Sequence, residues 1–211
     1  MTTIMIVDDH PAFRLVTKTH IVQLLGVSDV FEAENGQAAV ELARLHLPDL
    51  VILDLDIPRI NGLEVIPRLK LAHAGVRVLV LSGQDPSAFA ARAMRSGAQG
   101  FVAKSQEMKE IMRGVEAVLA GYTVFPMNVG GAGAGSSIST DQEEESLKLL
   151  SDKELMILQM LSKGMSNKAI GDALFMSDKT VSTYKSRIQE KLGLSSLAAL
   201  IEFASLQKLI D

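Results

Sequence analysis

Acidic residues directly follow two short apolar runs of the sequence. Asp8 and Asp9 come after Thr-Ile-Met-Ile-Val at residues 3–7, and Asp54 comes after Leu-Val-Ile-Leu at residues 50–53. Short β-branched runs of this kind are typical of buried strands in a parallel sheet. A carboxylate at the end of a buried strand is costly to place unless a ligand or a reaction uses it. Asp54 is therefore either a group that does chemistry or a residue that simply caps a loop.

Ser82 and Lys104 follow two later apolar runs in the same way, at residues 77–81 and 100–103. Ligands of open parallel sheets bind beyond the carboxyl ends of the strands, so we expect these side chains to meet the carboxylates. Crowded carboxylates stay ionised only beside a hard cation, and Mg²⁺ prefers oxygen ligands. Such a cation would let Asp54 approach an anionic phosphoryl donor as a nucleophile. Ser82 and Lys104 would then donate to the phosphoryl oxygens.

Apolar runs alternate with helical patterns over residues 1–121. The predicted strands are 3–7, 28–33, 50–53, 77–81 and 100–103, and apolar residues at helical spacing follow each of them. This alternation predicts an α/β fold: a doubly wound, parallel, five-stranded sheet with helices on both faces. The strand order common to small folds of this class would bring the polar strand ends to one edge.

The rest of the chain has a different character. A Gly/Ser-rich run at 130–137 predicts a flexible linker, and the acidic run at 141–145 is interpreted as solvated. Ser151 and Glu154 form a capping-box pattern ahead of leucines at helical spacing. The later predicted helices are 167–174, 178–192 and one that starts at Ser195. Two short helices across a tight turn are the helix-turn-helix pattern, so this part is predicted to be a small all-α domain.

The helix predicted at 178–192 is amphipathic. Its apolar stripe consists of Val181, Tyr184, Ile188 and Leu192. The other side carries small hydroxyl groups with basic neighbours: Lys179, Ser182, Thr183, Lys185, Ser186 and Arg187. This face suits a helix in the major groove of DNA, with the basic groups on phosphates. An ordinary amphipathic helix with a solvated face is the alternative that composition leaves open.

Composition limits the classes of function. The 211-residue chain has no cysteine, which excludes disulfides and thiolate metal sites, and its four histidines are scattered without forming a metal-ligand pair. No apolar run reaches the roughly 18–20 residues of a membrane span. No signal peptide is visible, so a cytoplasmic location is expected. Nine Lys/Arg and seven Asp/Glu lie from Leu147 onward, against 12 and 18 before it, which favours a regulator joined to a nucleic-acid binder.

Residues 1–121 resemble a response-regulator receiver domain, through the ordered set Asp8-Asp9, Asp54, Pro58, Gly62, Ser82 and Lys104. The catalytic residues that this resemblance implies are Asp54 as phosphoacceptor, Ser82 and Lys104. The implied Mg²⁺ ligands are Asp9, Asp54, the backbone carbonyl of Asp56 and, through water, Asp8. Phe101 stands where the family carries its switch aromatic, although a strand phenylalanine can equally be plain core.

Residues 147–211 resemble the LuxR-type DNA-binding domain, in the motifs at 150–154, 164–170 and 177–182. The resemblance implies a helix-turn-helix at 166–185, adds Thr180 to the DNA-binding residues, and makes 122–146 the linker. Receiver and tail together resemble the NarL/FixJ family of response regulators. The implied partners are a sensor histidine kinase, double-stranded promoter DNA and, through the last helix at 195–206, a second copy of the chain.

Two residues depart from the receiver pattern. Asp56 places a further acidic side chain beside the pocket, where it would alter the lifetime of a phosphoryl group. Ser105 follows Lys104 at a position where the family usually has proline. A cis peptide bond there would cost about 3 kcal/mol without proline, so the geometry of that loop is left open.

Two other functions compete with a phosphorylated regulator. Asp54-Leu55-Asp56 also resembles the Asp-x-Asp site of haloacid-dehalogenase-type phosphatases, which would make the chain an enzyme. That motif usually lies near the start of its domain, and it would leave Asp8 and Asp9 without a role. The other alternative is a DNA-binding protein whose receiver is only a dimerisation scaffold.

Overall fold

The computed structural model describes residues 2–58, 60–126, 146–147, 149–207 and 209. The chain divides into two compact units, residues 1–131 and 132–211. The runs at 130–137 and 141–145 lie outside the described residues, so the flexible linker and its solvated acidic patch stay predictions.

The first unit contains the predicted parallel sheet. Its strands are β1 (Thr2–Val7), β2 (Val27–Ala33), β3 (Leu50–Leu53), β4 (Arg77–Ser82) and β5 (Gly100–Ala103). All neighbours are parallel, in the order β2-β1-β3-β4-β5. Every residue of β3 is buried, as expected for a strand covered on both faces. The predicted fold class is confirmed.

Helices cover both faces of this sheet. They are α1 (Pro11–Ile21), α2 (Gly36–His46), α3 (Gly62–Ala72), α4 (Pro86–Arg95) and α5 (Met108–Leu119). The side chains of Asn35, Asn61 and Asp85 each accept a backbone N–H at the start of the following helix, and Pro11 occupies the first turn of α1. On one face, Ile111, Val115 and Val118 of α5 pack in a cluster with the central strands. The central strand ends are thereby fixed in position.

Val124, near the predicted start of the linker, is hydrogen-bonded to the edge of the sheet. The Phe101 N–H donates to the Val124 carbonyl at 2.7 Å, and the Val124 N–H donates to the Gln99 carbonyl at 2.9 Å. Val124 thereby forms a parallel bridge with Gly100 on the outer edge of β5. An edge strand leaves backbone groups to pair, and this segment pairs with them, so the start of the predicted 122–146 linker is tied to the sheet.

The second unit is the predicted small all-α domain. Its helices are α6 (Asp152–Ser162), α7 (Asn167–Leu174), α8 (Asp178–Leu192) and α9 (Leu197–Leu206). The capping box of Ser151 and Glu154 is confirmed. The last helix starts later than predicted, because Ser196 rather than Ser195 is the cap that accepts the Ala199 N–H. Among the helices that the structure describes, none has the length and apolar character needed to cross a bilayer.

The turn between α7 and α8 depends on one glycine. A Cβ atom built on Gly171 would lie 2.5 Å from the Met176 carbonyl oxygen, closer than any side chain tolerates. The Met176 N–H donates back to the Gly171 carbonyl at 2.9 Å. The two helices therefore approach each other closely, and the buried side chains of Ile170, Val181 and Ile188 hold α7 and α8 in the core of the domain.

Candidate functional site

The strand register brings two of the acidic residues side by side. Val7 pairs with Leu53, so Asp8 and Asp54 leave the sheet together at the carboxyl ends of β1 and β3. The Asp54 N–H continues the ladder by donating to the Val7 carbonyl at 2.9 Å. Both carboxylates are almost completely buried, at 2% exposure. Asp54 therefore lies at the sheet edge where folds of this class place their ligands.

Lys104 reaches the same place from β5. Its Nζ lies 2.6 Å from Asp8 Oδ2 and 2.6 Å from Asp54 Oδ2. Burial raises the pKa of Asp54 to about 6, although the Lys104 ammonium pulls it down and the charges of Asp8 and Asp56 push it up. Burial opposes the charge of Lys104, but both carboxylates outweigh that effect and the pKa of Lys104 is raised. At neutral pH the pocket therefore holds the ionised Asp54 carboxylate and the Lys104 ammonium, with Asp8 as the second partner of that ammonium.

A set of metal-ligating atoms overlaps these three residues. Asp8, Asp9, His10 and Asp54 each offer one ligand atom, and these atoms all lie within 4.8 Å of one another. Oxygen atoms predominate in the set, which makes the acidic pocket compatible with a divalent cation. His10 was not assigned to this candidate set from the sequence, yet its Nδ1 lies 2.7 Å from Asp9 Oδ1. Its position directly after two aspartates was the available signal.

Asp56 is held beside the pocket by two contacts. Its N–H donates to Asp54 Oδ1 at 3.2 Å, which orients the Asp54 carboxylate. Its own carboxylate accepts a hydrogen bond from the side chain of Gln84, a buried residue that follows β4. Gln84 was not singled out from the sequence, because nothing in its neighbourhood indicates that its amide points toward Asp56. The role of the Asp56 carbonyl as a metal ligand stays a prediction.

The other predicted receiver residues, Ser82 and Phe101, lie on β4 and β5. Ser82 is fully buried, and its Oγ accepts the Gln84 N–H at 3.2 Å. The Lys104 N–H donates to the Ser82 carbonyl at 2.9 Å, which places the two residues on adjacent strand ends. Phe101 is buried in β5 at 2% exposure. No cis peptide bond occurs among the described residues, so the Lys104–Ser105 bond is trans.

Helix α8 presents the predicted DNA-binding residues at the surface of the second unit. Lys179, Thr180, Thr183, Ser186 and Arg187 are exposed, whereas Ser182 and Lys185 are half-buried. The predicted apolar stripe divides in two: Val181 and Ile188 are fully buried, and Tyr184 and Leu192 are only half-buried. A concavity of about 330 Å³ is lined by Ser177, Lys179, Thr180, Thr183, Tyr184 and Arg187.

Two hydroxyl groups on this face donate their protons to carbonyls of their own helix. Thr183 Oγ1 donates to the Lys179 carbonyl at 3.0 Å, and Ser186 Oγ donates to the Ser182 carbonyl at 3.2 Å. A hydroxyl that donates to its own helix still has lone pairs that accept. In this conformation Thr183 and Ser186 therefore offer acceptors and the basic side chains offer donors. Base edges in the major groove carry partners for both.

Family models match both units. The response regulator receiver domain matches residues 4–116, and the luxR family of bacterial regulatory proteins matches residues 148–204. The chain belongs to the NarL/FixJ family of two-component response regulators. Members of this family are transcription factors and not enzymes, so the phosphatase alternative is removed.

Two relatives of this response regulator align along nearly its whole length. It is 49% identical over 213 residues to a transcriptional regulator of Pseudomonas aeruginosa, with 100% of each chain covered. It is 43% identical to the virulence-factor transcription regulator BvgA of Bordetella pertussis, with 95% of each chain covered. A LuxR-family response regulator from an Aurantimonas species has a crystal structure that is 34% identical, with a TM-score of 0.57, and the match covers 61% of this chain and 93% of that one.

Proposed function

We propose that Asp54 accepts a phosphoryl group from a partner sensor histidine kinase in the presence of Mg²⁺. The observation that supports this most is the placement of the Lys104 ammonium at 2.6 Å from both Asp8 and Asp54. A buried ammonium shared by two carboxylates places a compact cation beside the Asp54 carboxylate that would become an acyl phosphate. The Asp54 carboxylate is the nucleophile, the P–N bond to the kinase histidine breaks and the P–O bond to Asp54 forms.

The donor set of the pocket fits Mg²⁺. Asp9, Asp54 and the Asp56 carbonyl would hold it directly, and Asp8 through water. When bound, the cation neutralises charge between the carboxylate and the incoming phosphoryl group. Lys104 donates to a phosphoryl oxygen, and Ser82 donates its hydroxyl proton to another.

A rearrangement of Ser82 would carry the signal out of the pocket. Ser82 Oγ is bonded to the Gln84 N–H, and turning toward a phosphoryl oxygen breaks that contact. The loop that begins with Gln84 then loses one of its anchors, and space opens behind Ser82. Phe101 is buried on the neighbouring strand and moves into this space if it is the switch residue. If Phe101 is only a core residue, it stays in place.

The output is regulated binding of promoter DNA by helix α8, in the cytoplasm, where it activates or represses transcription. We propose that the active form is a homodimer that contacts paired half-sites through two copies of this helix. Helix α9 supports this proposal, because Leu197 and Leu206 are apolar and exposed at 42% and 67%. If the receiver were only a dimerisation scaffold, modification of Asp54 would leave promoter affinity unchanged. The proposed function requires that promoter affinity change when Asp54 is modified.

DNA affinity with and without a phosphoryl mimic tests this function. Genomic fragments selected with the full-length protein serve as labelled probes in fluorescence anisotropy. We expect beryllofluoride with Mg²⁺ to raise the affinity of the wild type at least tenfold and to leave Asp54→Ala unchanged. Equal affinities of wild type and Asp54→Ala in both conditions would instead support the scaffold alternative.

A further inference from the structure

Lys104 contacts an uncharged aromatic ring in addition to its two carboxylate partners. Lys104 Nζ lies 4.6 Å from the centroid of the Phe13 ring, within the range of a cation–π interaction. Phe13 belongs to the first turn of α1 and follows Asp9 by four residues. Its ring is half-buried and packs against the core of the receiver. The side chain of Lys104 is only 16% exposed, so its ammonium is enclosed by two carboxylates and this ring.

The three partners respond differently to a bound cation. Asp8 and Asp54 belong to the metal-ligand set, so a divalent cation competes with Lys104 for their negative charge. The Phe13 ring is not a ligand for a hard cation, which prefers oxygen. Its attraction for the ammonium therefore persists when the carboxylates are neutralised, and it opposes the escape of Lys104 into water at the step where the lysine is needed.

We propose that Phe13 is a positioning residue for Lys104, whose ring holds the ammonium over the acid pocket while the carboxylates exchange it for a divalent cation and a phosphoryl group. This inference rests on the proposed phosphorylation of Asp54. Phe13 touches neither the phosphoryl group nor the metal in this scheme and acts through Lys104 alone.

Two substitutions of Phe13 separate the ring face from its bulk. Phe13→Leu keeps an apolar side chain in the helix and against the core, but it removes the negative face of the ring. Phe13→Tyr keeps the ring, and its hydroxyl extends from the ring edge. A pure packing role predicts that leucine and tyrosine both perturb the site, whereas a cation–π role predicts that tyrosine replaces phenylalanine.

Beryllofluoride affinity at saturating Mg²⁺ is the first measurement, made by calorimetry on the full-length protein. We expect Phe13→Leu to weaken binding about 3- to 10-fold, the range of a partly desolvated cation–π contact, and Phe13→Tyr to stay within about twofold of wild type. In a Lys104→Met background, Phe13→Leu should have no further effect. The proposal is overturned if Phe13→Leu weakens beryllofluoride binding equally in the wild-type and Lys104→Met backgrounds, or if it does not weaken binding in the wild-type background.

Reactivity of the Lys104 amine in metal-free protein is the second measurement. A short pulse of acetic anhydride followed by peptide mass spectrometry should label Lys104 several-fold more in Phe13→Leu than in wild type. Labelling in Phe13→Tyr should not change, and Lys18 of α1 provides the internal reference. Failure of the wild type to bind beryllofluoride defeats the proposed function, whereas unchanged Lys104 labelling in Phe13→Leu defeats this inference alone.

Discussion

The receiver pocket and the surface of α8 contrast in how their functional groups are stabilised. In the pocket, Asp8 and Asp54 are 2% exposed and depend on Lys104 for a counter-charge. On α8, residues such as Lys179 and Arg187 are exposed to solvent. Burying a charge is costly and exposing one is not. The functional site of the receiver is therefore recognisable by its costly buried charges. The functional site of the tail domain is an ordinary polar helix face.

The first test of this contrast is to disturb the backbone beside Asp54, against which Gly62 packs. A Cβ on Gly62 would lie 2.5 Å from Leu55 Cα and 2.6 Å from the Asp54 carbonyl oxygen. Backbone cannot move aside as a side chain does, so we expect Gly62→Ala to lower the free energy of unfolding of the receiver by about 3 kcal/mol. Urea unfolding measures the loss, and hydrogen exchange of receiver and tail peptides localises it.

Gly83→Ala is the matched control for Gly62→Ala. Gly83 follows β4 near the same pocket, but a Cβ atom placed on it would have no neighbour within 4 Å, and its φ is not in the left-handed region. This substitution should change receiver stability by less than about 0.5 kcal/mol. Equal losses in the two variants would show that the close approach at Gly62 is not what fixes the pocket.

Glu154 is the one buried charged side chain among the described residues of the tail domain, and it tests whether burial there is purely structural. Glu154 accepts from the Ser151 N–H at 2.7 Å and from Lys191 Nζ at 2.6 Å. Burial opposes its charge, but these hydrogen bonds outweigh that effect and hold the pKa of Glu154 below its usual value. Glu154→Ala should cost the domain about 2 kcal/mol, and Glu154→Gln less, because glutamine still completes the capping box.

The pH dependence of tail stability follows from the lowered pKa of Glu154. The contribution of the carboxylate is fully present above the pKa of the unfolded chain and is lost as the pH falls through the lower, folded value. Thermal unfolding followed down the acid range should show this loss in the wild type and not in Glu154→Gln. A parallel acid profile for both proteins would remove Glu154 from the electrostatic stability of the domain.

The strand ends could be predicted from the sequence because burial restricts which residues occur there. A carboxylate directly after the apolar run before Asp54 is costly to desolvate, which indicates that it has a function. The parallel fold then determines which strand ends meet. The sequence did not predict roles for His10, Phe13 and Gln84. A contact such as that of Phe13 with Lys104 depends on the orientation of side chains from segments far apart in the chain. Tyr184 illustrates the same limit, because helical spacing placed it on the apolar stripe and the structure places it half-buried beside Arg187.

Proton competition offers a smaller test of the pocket. Because burial raises the pKa of Asp54 to about 6, a proton and a divalent cation compete for this carboxylate just below neutral pH. Mg²⁺ affinity should be nearly constant above pH 7 and should fall, approaching about tenfold per pH unit, below pH 6. Calorimetric titration at several pH values measures it. A profile in Asp54→Asn as steep as that of the wild type would place the competing proton elsewhere.

The smallest expected effect belongs to a single basic residue of α8. Lys185 is half-buried, and we expect its ammonium to contact a DNA phosphate. Lys185→Ala should weaken binding to specific and unrelated DNA alike, by several-fold, and lower the slope of log K against log salt by about 1. Anisotropy titrations over a salt series give the slope. An unchanged slope would remove Lys185 from the phosphate contacts.

Phosphorylation of purified protein tests the central claim most directly. The protein is incubated with acetyl phosphate and Mg²⁺, trapped by reduction with borohydride, and mapped by peptide mass spectrometry. We predict one modified residue, Asp54, with no modification in Asp54→Asn or after removal of Mg²⁺ by a chelator. A wild type that gains no phosphoryl group, or gains it on another carboxylate, would contradict the account of the acid pocket.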